Sequence, residues 1–115
     1  MSDKTTEVIT VESRGELDRH LQETSLERLV VVEFSALWCG PCRRIVPDIK
    51  RWAKDDFPQV TFLEVDVDQQ AEIAADFSIQ AMPTFKLYRG GKEVAELVGA
   101  NLTKIQSSIK QHYGR

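Results

Sequence analysis

The segment Arg28-Leu-Val-Val-Val-Glu-Phe-Ser35 constrains this chain more than any other. It is β-branched and almost continuously apolar, the pattern of a strand covered on both faces. Only Glu33 interrupts it. Such a strand needs helices above and below its sheet, and the flanking sequence supplies them. Glu7-Val-Ile-Thr-Val11 reads as a short first strand. Ser13-Arg-Gly-Glu16 fits a capping box, opening a helix over about 14–24 with Leu17, Leu21 and Leu26 as its apolar stripe. A second helix runs from the cysteines to about Asp55. It turns Ile45, Ile49, Trp52 and Ala53 inward, and Pro47 predicts a kink by removing an amide donor.

Val60–Asp66 reads as a third strand, and Asp68 suits the cap of a short helix over about 69–77. Thr84–Tyr88 and Glu93–Val98 flank Gly90-Gly91, a hairpin turn signal. Asn101 caps a last helix whose Leu102, Ile105 and Ile109 recur at helical spacing. The order β-α-β-α-β-α-β-β-α predicts an α/β fold: a central mixed five-stranded sheet flanked by four helices. No internal repeat and no Pro/Gly/Ser linker divides the chain, so residues 1–115 are read as one domain.

Charge narrows the function classes. Fifteen Lys and Arg stand against eighteen Asp and Glu, a net charge of −3, which disfavours a general nucleic-acid binder. The polar start Met1-Ser-Asp-Lys-Thr-Thr-Glu7 does not read as a secretory signal. The apolar run Leu29–Val32 falls far short of the roughly 20 residues that cross a bilayer. A soluble intracellular protein is the expectation.

Cys39 and Cys42 are the chain's two cysteines, and they stand in a Cys-x-x-Cys arrangement. In a reducing compartment such a pair is more often redox-active or metal-binding than structural. Cys39 follows the buried strand and opens a helix, where free amides and the helix dipole favour a thiolate. Pro41 fits the first helical turn, because its missing N–H costs nothing there. Cys42 lies one turn on, within disulfide reach. A thiolate with a resolving thiol beside it supports disulfide exchange. The competing reading is half of a metal site. Zinc asks for four ligands, and the other soft candidates, His20 and His112, sit in the first and last helices without ligand spacing to the pair. Both histidines read as surface residues. Gly90-Gly-Lys92 lacks P-loop spacing and is not a phosphate loop.

With Trp38, Gly40 and Pro41 around them, the cysteines make a specific motif. The stretch Val30–Pro47 resembles the strand, active site and kinked helix of the thioredoxin family. Phe62–Asp68, Ala81-Met-Pro-Thr-Phe85 and Val98-Gly-Ala100 match further family segments in order. The resemblance implies the thioredoxin fold and a general protein-disulfide reductase that exchanges dithiol for disulfide. It implies no bound cofactor, with NADPH used indirectly through thioredoxin reductase. Clients would be disulfide-containing proteins such as peroxiredoxins, methionine sulfoxide reductases or ribonucleotide reductase. The expected protein is a cytoplasmic monomer small enough to enter the nucleus, with no nucleic-acid or membrane partner. A lowered cysteine pKa is itself a documented property of this family.

The resemblance also implies roles, each with a plainer alternative. Cys39 would be the nucleophile and Cys42 the resolving thiol, with Gly40 and Pro41 tuning the pair. Glu33 stands where the family usually has a buried Asp and would move protons to and from Cys42; the alternative is a solvated carboxylate at a strand edge. Trp38, Met82, Pro83, Gly99 and Ala100 would form an apolar client groove, although Trp38 could equally be a core aromatic. Pro83 would follow a cis bond, where sequence alone favours trans. Asp68 would accept from the Trp38 indole, a role compatible with capping. Trp52 reads as core. Leu37 replaces a polar residue common in the family. A rival from another class, a thioredoxin-like interaction module, could use the same groove without turnover and would not need both cysteines.

Overall fold

A computed structural model describes residues 7–114. Five strands form one mixed sheet in the order β1-β3-β2-β4-β5: β1 (Val8–Thr10), β2 (Val30–Ser35), β3 (Thr61–Asp66), β4 (Thr84–Arg89) and β5 (Lys92–Val98). β1, β3 and β2 run parallel, while β4 and β5 are antiparallel to their neighbours. The predicted element order and the mixed sheet are both present. β2 lies at the centre and is buried at all six positions, as its continuous apolar run required.

Alternation along β2 divides the core. Val30, Val32 and Phe34 face α1 (Arg14–Gln22) and α4 (Ala71–Asp76), packing on Leu17, Leu21 and Ile73. Leu29 and Val31 point the other way, onto Ile45, Ile49, Trp52 and Ala53 and onto Ile105 and Ile109 of α5 (Leu102–Tyr113). Each such buried aliphatic or aromatic side chain stabilises the fold by roughly 1.5–3 kcal/mol relative to exposure. A sheet filled on both faces is therefore well determined.

The caps act largely as predicted. Ser13 Oγ accepts the Glu16 N–H at 3.0 Å, while Glu16 reaches one residue further back and accepts the Glu12 N–H at 2.8 Å. Asn101 Oδ1 accepts the Lys104 N–H at 3.0 Å. Gly90 and Gly91, with φ of 67° and 80°, close the β4–β5 hairpin in a conformation that favours glycine.

Four expectations are corrected. The first helix ends at Gln22, and a 3-10 turn over Thr24–Leu26 leaves Leu26 64% exposed instead of in the stripe. His20 is buried, at 7% exposure, because position 20 lies beside Leu17 and Leu21 on the packed face; His112 is half-buried. The helix after the cysteines is broken at Ile45 into α2 (Gly40–Arg44) and α3 (Val46–Arg51), and a π turn continues to Asp56. The break lies two residues before Pro47, which occupies the first turn of α3, where no donor is needed. Finally, Asp68 does not cap α4. Gln70 holds the cap position without a side-chain bond, and Asp66 Oδ1 takes the Asp68 and Gln69 amides at 2.8 and 3.2 Å.

Candidate active site

The C-terminal end of β2 delivers Ala36, Leu37 and Trp38 to the start of α2, with Cys39 at its N-cap. Cys39 and Cys42 are joined as a disulfide, with their Cα atoms 5.3 Å apart. The Cys42 N–H donates to Cys39 Sγ at 3.2 Å, so a free amide of the helix N-terminus points at the first sulfur. Both cysteines are buried in a small apolar nest with Ala36, against Val67 and Met82. Pro41 sits in the first turn as expected.

Three hydrogen bonds pin the loop before the pair. The Cys39 N–H donates to the Ala36 carbonyl at 3.2 Å. Arg43 Nη1 donates to the Leu37 carbonyl at 2.7 Å, and Trp38 Nε1 donates to Asp68 Oδ2 at 2.9 Å. Held in this way, Leu37 and Trp38 remain 78% and 65% exposed, two large apolar side chains presented beside the disulfide. Trp38 is thus surface and Trp52 is core.

The other wall comes from the approach to β4 and the end of β5. The Met82–Pro83 bond is cis, and the Met82 carbonyl oxygen lies 3.7 Å from Cys39 Sγ. The Gly99 N–H donates to the Pro83 carbonyl at 2.8 Å, with Gly99 at φ 105°, where a glycine is favoured. This bond ties the two loops together beside the sulfur. Ala100 follows, half-buried against the core on the α5 side.

Glu33 sits in the middle of β2 and is only 5% exposed. Burial, then the neighbouring negative charge of Glu64, pushes its carboxyl up to about 8. The two glutamates face each other in the β2–β3 register, and Ser35 Oγ donates to Glu64 Oε2 at 3.2 Å. A cavity of about 460 Å³ opens beneath α2, with Ser35, Cys42, Glu64 and Asp66 in its wall. The sequence pattern singles out Glu33 but not Glu64 or Ser35. Alternation was the available signal, since Phe62 packs on the face of Ile45 and Ile49 and Glu64 follows it on the same face. Among the described residues no group of His, Cys, Asp and Glu could hold a metal, and no helix is long and apolar enough to cross a membrane.

A buried central strand feeding a cysteine pair at a helix N-terminus, beside a cis-proline loop, defines a disulfide oxidoreductase of the thioredoxin fold. The thioredoxin family model matches residues 8–111. Thioredoxin-1 of Schizosaccharomyces pombe is 48% identical over 73% of this chain and 81% of its own length. The crystal structure of thioredoxin NaTrxh from Nicotiana alata superposes with a TM-score of 0.86 at 36% identity, covering 98% of both chains. A chain from a structure of the thiol resolving mechanism in yeast mitochondrial 1-Cys peroxiredoxin via glutathione/thioredoxin systems gives 0.83 at 29% identity, covering 94% of this chain and 98% of that one. The chain belongs to the thioredoxin family.

Proposed function

We propose that this chain, as a single thioredoxin domain, is a general protein-disulfide reductase. In this reading Cys39 attacks a client disulfide as thiolate, forming a mixed disulfide and releasing the client's other sulfur as a thiolate. Cys42 then loses its proton, its sulfur bonds to Cys39, and the second client sulfur leaves with the electron pair. Two electrons pass to the client, and the Cys39–Cys42 disulfide remains. The observation that carries the proposal is the placement of Cys39 Sγ, which accepts the Cys42 amide and lies 3.7 Å from the Met82 carbonyl, between exposed Trp38 and the Pro83–Gly99 contact.

The chemistry of each neighbour supports a role. The Cys42 N–H favours negative charge on Cys39, and Gly40 and Pro41 tune the pair by shaping the first turn. Met82 offers its backbone to an extended client strand, while Trp38, Pro83, Gly99 and Ala100 line the approach. Asp68 holds the Trp38 ring. Glu33 exchanges the Cys42 proton, and a carboxyl titrating near neutral pH suits that task. Thioredoxin reductase, drawing on NADPH, recharges the protein. Peroxiredoxins are client candidates, a choice supported by the structural neighbour from the 1-Cys peroxiredoxin resolving mechanism; methionine sulfoxide reductases and ribonucleotide reductase are further candidates. The protein acts as a cytoplasmic monomer with access to the nucleus, without nucleic-acid or membrane partners.

Insulin reduction with NADPH and thioredoxin reductase tests this reading in the wild type and Cys39→Ser. Turnover that vanishes in the variant is the expected result. A folded wild type that fails with dithiothreitol as well as with both reductase classes would overturn the reading in favour of an interaction module.

A further inference from the structure

Glu33 and Glu64 are strand neighbours in register, and alternation puts both on the sheet face that carries Val31 and Phe62, yet their surroundings differ. Glu33 is enclosed, whereas Glu64 is half-buried in the wall of the 460 Å³ cavity that also reaches Cys42. Ser35, two residues beyond Glu33, donates to Glu64 Oε2 at 3.2 Å and holds that carboxylate in place. Among the described residues no cation lies within ion-pair distance of Glu64. Its charge therefore acts on Glu33 without an ion-pair partner of its own.

We infer that Glu64 is a positioning residue of disulfide exchange: held by Ser35, it pairs with Glu33 as one half of a carboxyl couple that keeps a single proton beside Cys42. The inference rests on the reading of Glu33 given above. Two carboxylates at neighbouring register positions resist double ionisation, so one proton stays with the couple. Once Glu33 has released that proton to solvent, its carboxylate takes the Cys42 S–H proton in the resolving step. The Cys42 sulfur bonds to Cys39, and the Cys39–client bond breaks with its electron pair on the client sulfur. When the Cys39–Cys42 disulfide is later reduced, the same proton returns to Cys42. The other charged groups in the cavity wall are Asp66 on β3, Glu12 before α1 and Arg43 on α2. Of these Arg43 alone is cationic, and one of its guanidinium nitrogens already bonds the Leu37 carbonyl. From β4 the residue opposite Glu33 is Phe85, which adds no charge.

The test is a ¹³C NMR titration of the Glu33 carboxyl in the oxidised protein, with mixed-disulfide resolution followed by stopped flow across the same pH range. Glu64→Gln keeps size and a Ser35 acceptor but removes the charge. The Glu33 midpoint and the rise in resolution rate should both move to lower pH by about one unit, whereas Glu64→Asp should hold them near wild type. Thermal melts establish that each variant is folded. A Glu33 midpoint that stays put in folded Glu64→Gln overturns the couple. A rise that survives unchanged in Glu33→Gln instead overturns the role of Glu33 itself, a failure distinct from the first.

Discussion

The Trp38 indole donates to Asp68 Oδ2 at 2.9 Å, joining the loop after β2 to the loop after β3 across 30 residues of sequence. That bond is what lets a ring 65% exposed keep one orientation beside the disulfide. An exposed bond of this kind contributes modestly to stability. In the function proposed above, its value lies in ordering the ring before a client arrives.

Asp68→Ala should therefore raise the KM for a protein disulfide by a few fold, about 1 kcal/mol of lost preorganisation. The melting temperature should change little. Insulin-reduction kinetics with the intrinsic fluorescence of Trp38 check this. An unchanged KM together with a freed, differently quenched Trp38 would show that ring order does not matter for clients.

Ser25 fastens the far end of the sheet. Its Oγ donates to the Leu21 carbonyl at 2.6 Å and accepts the Gly91 N–H at 2.9 Å, while its own carbonyl accepts the Gly90 N–H at 2.7 Å. The side chain is fully buried. Ser25→Ala leaves the buried Leu21 carbonyl and the part-buried Gly91 N–H without this partner, and should cost about 1–3 kcal/mol in urea unfolding. Disulfide-reductase activity of the folded fraction should be unchanged, because the hairpin turn is remote from Cys39.

Glu33 makes stability depend on pH with a definite sign. Burial first, and Glu64 second, raise its folded value to about 8 from an ordinary 4.5. Over that interval the folded state holds a proton that the unfolded chain has released, so this contribution is complete below about 4.5 and is lost as pH rises through 8. Oxidised Glu33→Gln should thus gain stability relative to wild type as pH rises, by up to about 1.4 kcal/mol for each pH unit separating those two values. Denaturant midpoints of the two proteins from pH 4.5 to 9 read this difference directly.

His20 works in the opposite direction. Burial, with the nearby charge of Arg19, lowers its folded value, and Glu16 only partly offsets them. The unfolded chain takes up a proton near 6.5 that the folded chain resists. This contribution is complete above 6.5 and is lost as pH falls through the depressed folded value. His20→Gln should flatten the acid side of the stability curve in oxidised protein. A curve that keeps the wild-type slope below pH 6.5 would assign that slope to other groups.

Much of the architecture follows from local pattern. Six buried positions at β2, the Ser13 and Asn101 caps and the Gly90-Gly91 turn all depend on residue type and near neighbours. The cysteine pair was legible for the same reason, since a three-residue separation at a helix start is a local geometry. Leu26, His20 and the capping role of Asp68 departed from expectation because helix type and packing decided each, whereas the Asp68 bond to Trp38 formed as the resemblance implied. A 3-10 turn rotates Leu26 outward, the packed face of α1 takes in His20, and Asp66 accepts the amides ahead of α4 while Gln70 holds its cap position.

Taken alone, then, the sequence determined which elements form, their order and the position of the redox pair, because periodicity, caps and turn residues act over a few positions. Only the tertiary structure decided what surrounds that pair. The approach of Met82 to Cys39, the Gly99–Pro83 bond and the facing of Glu33 by Glu64 all depend on sheet register between segments as much as 43 residues apart. Register is set by the packing of whole faces, and no local stretch of chain contains that information.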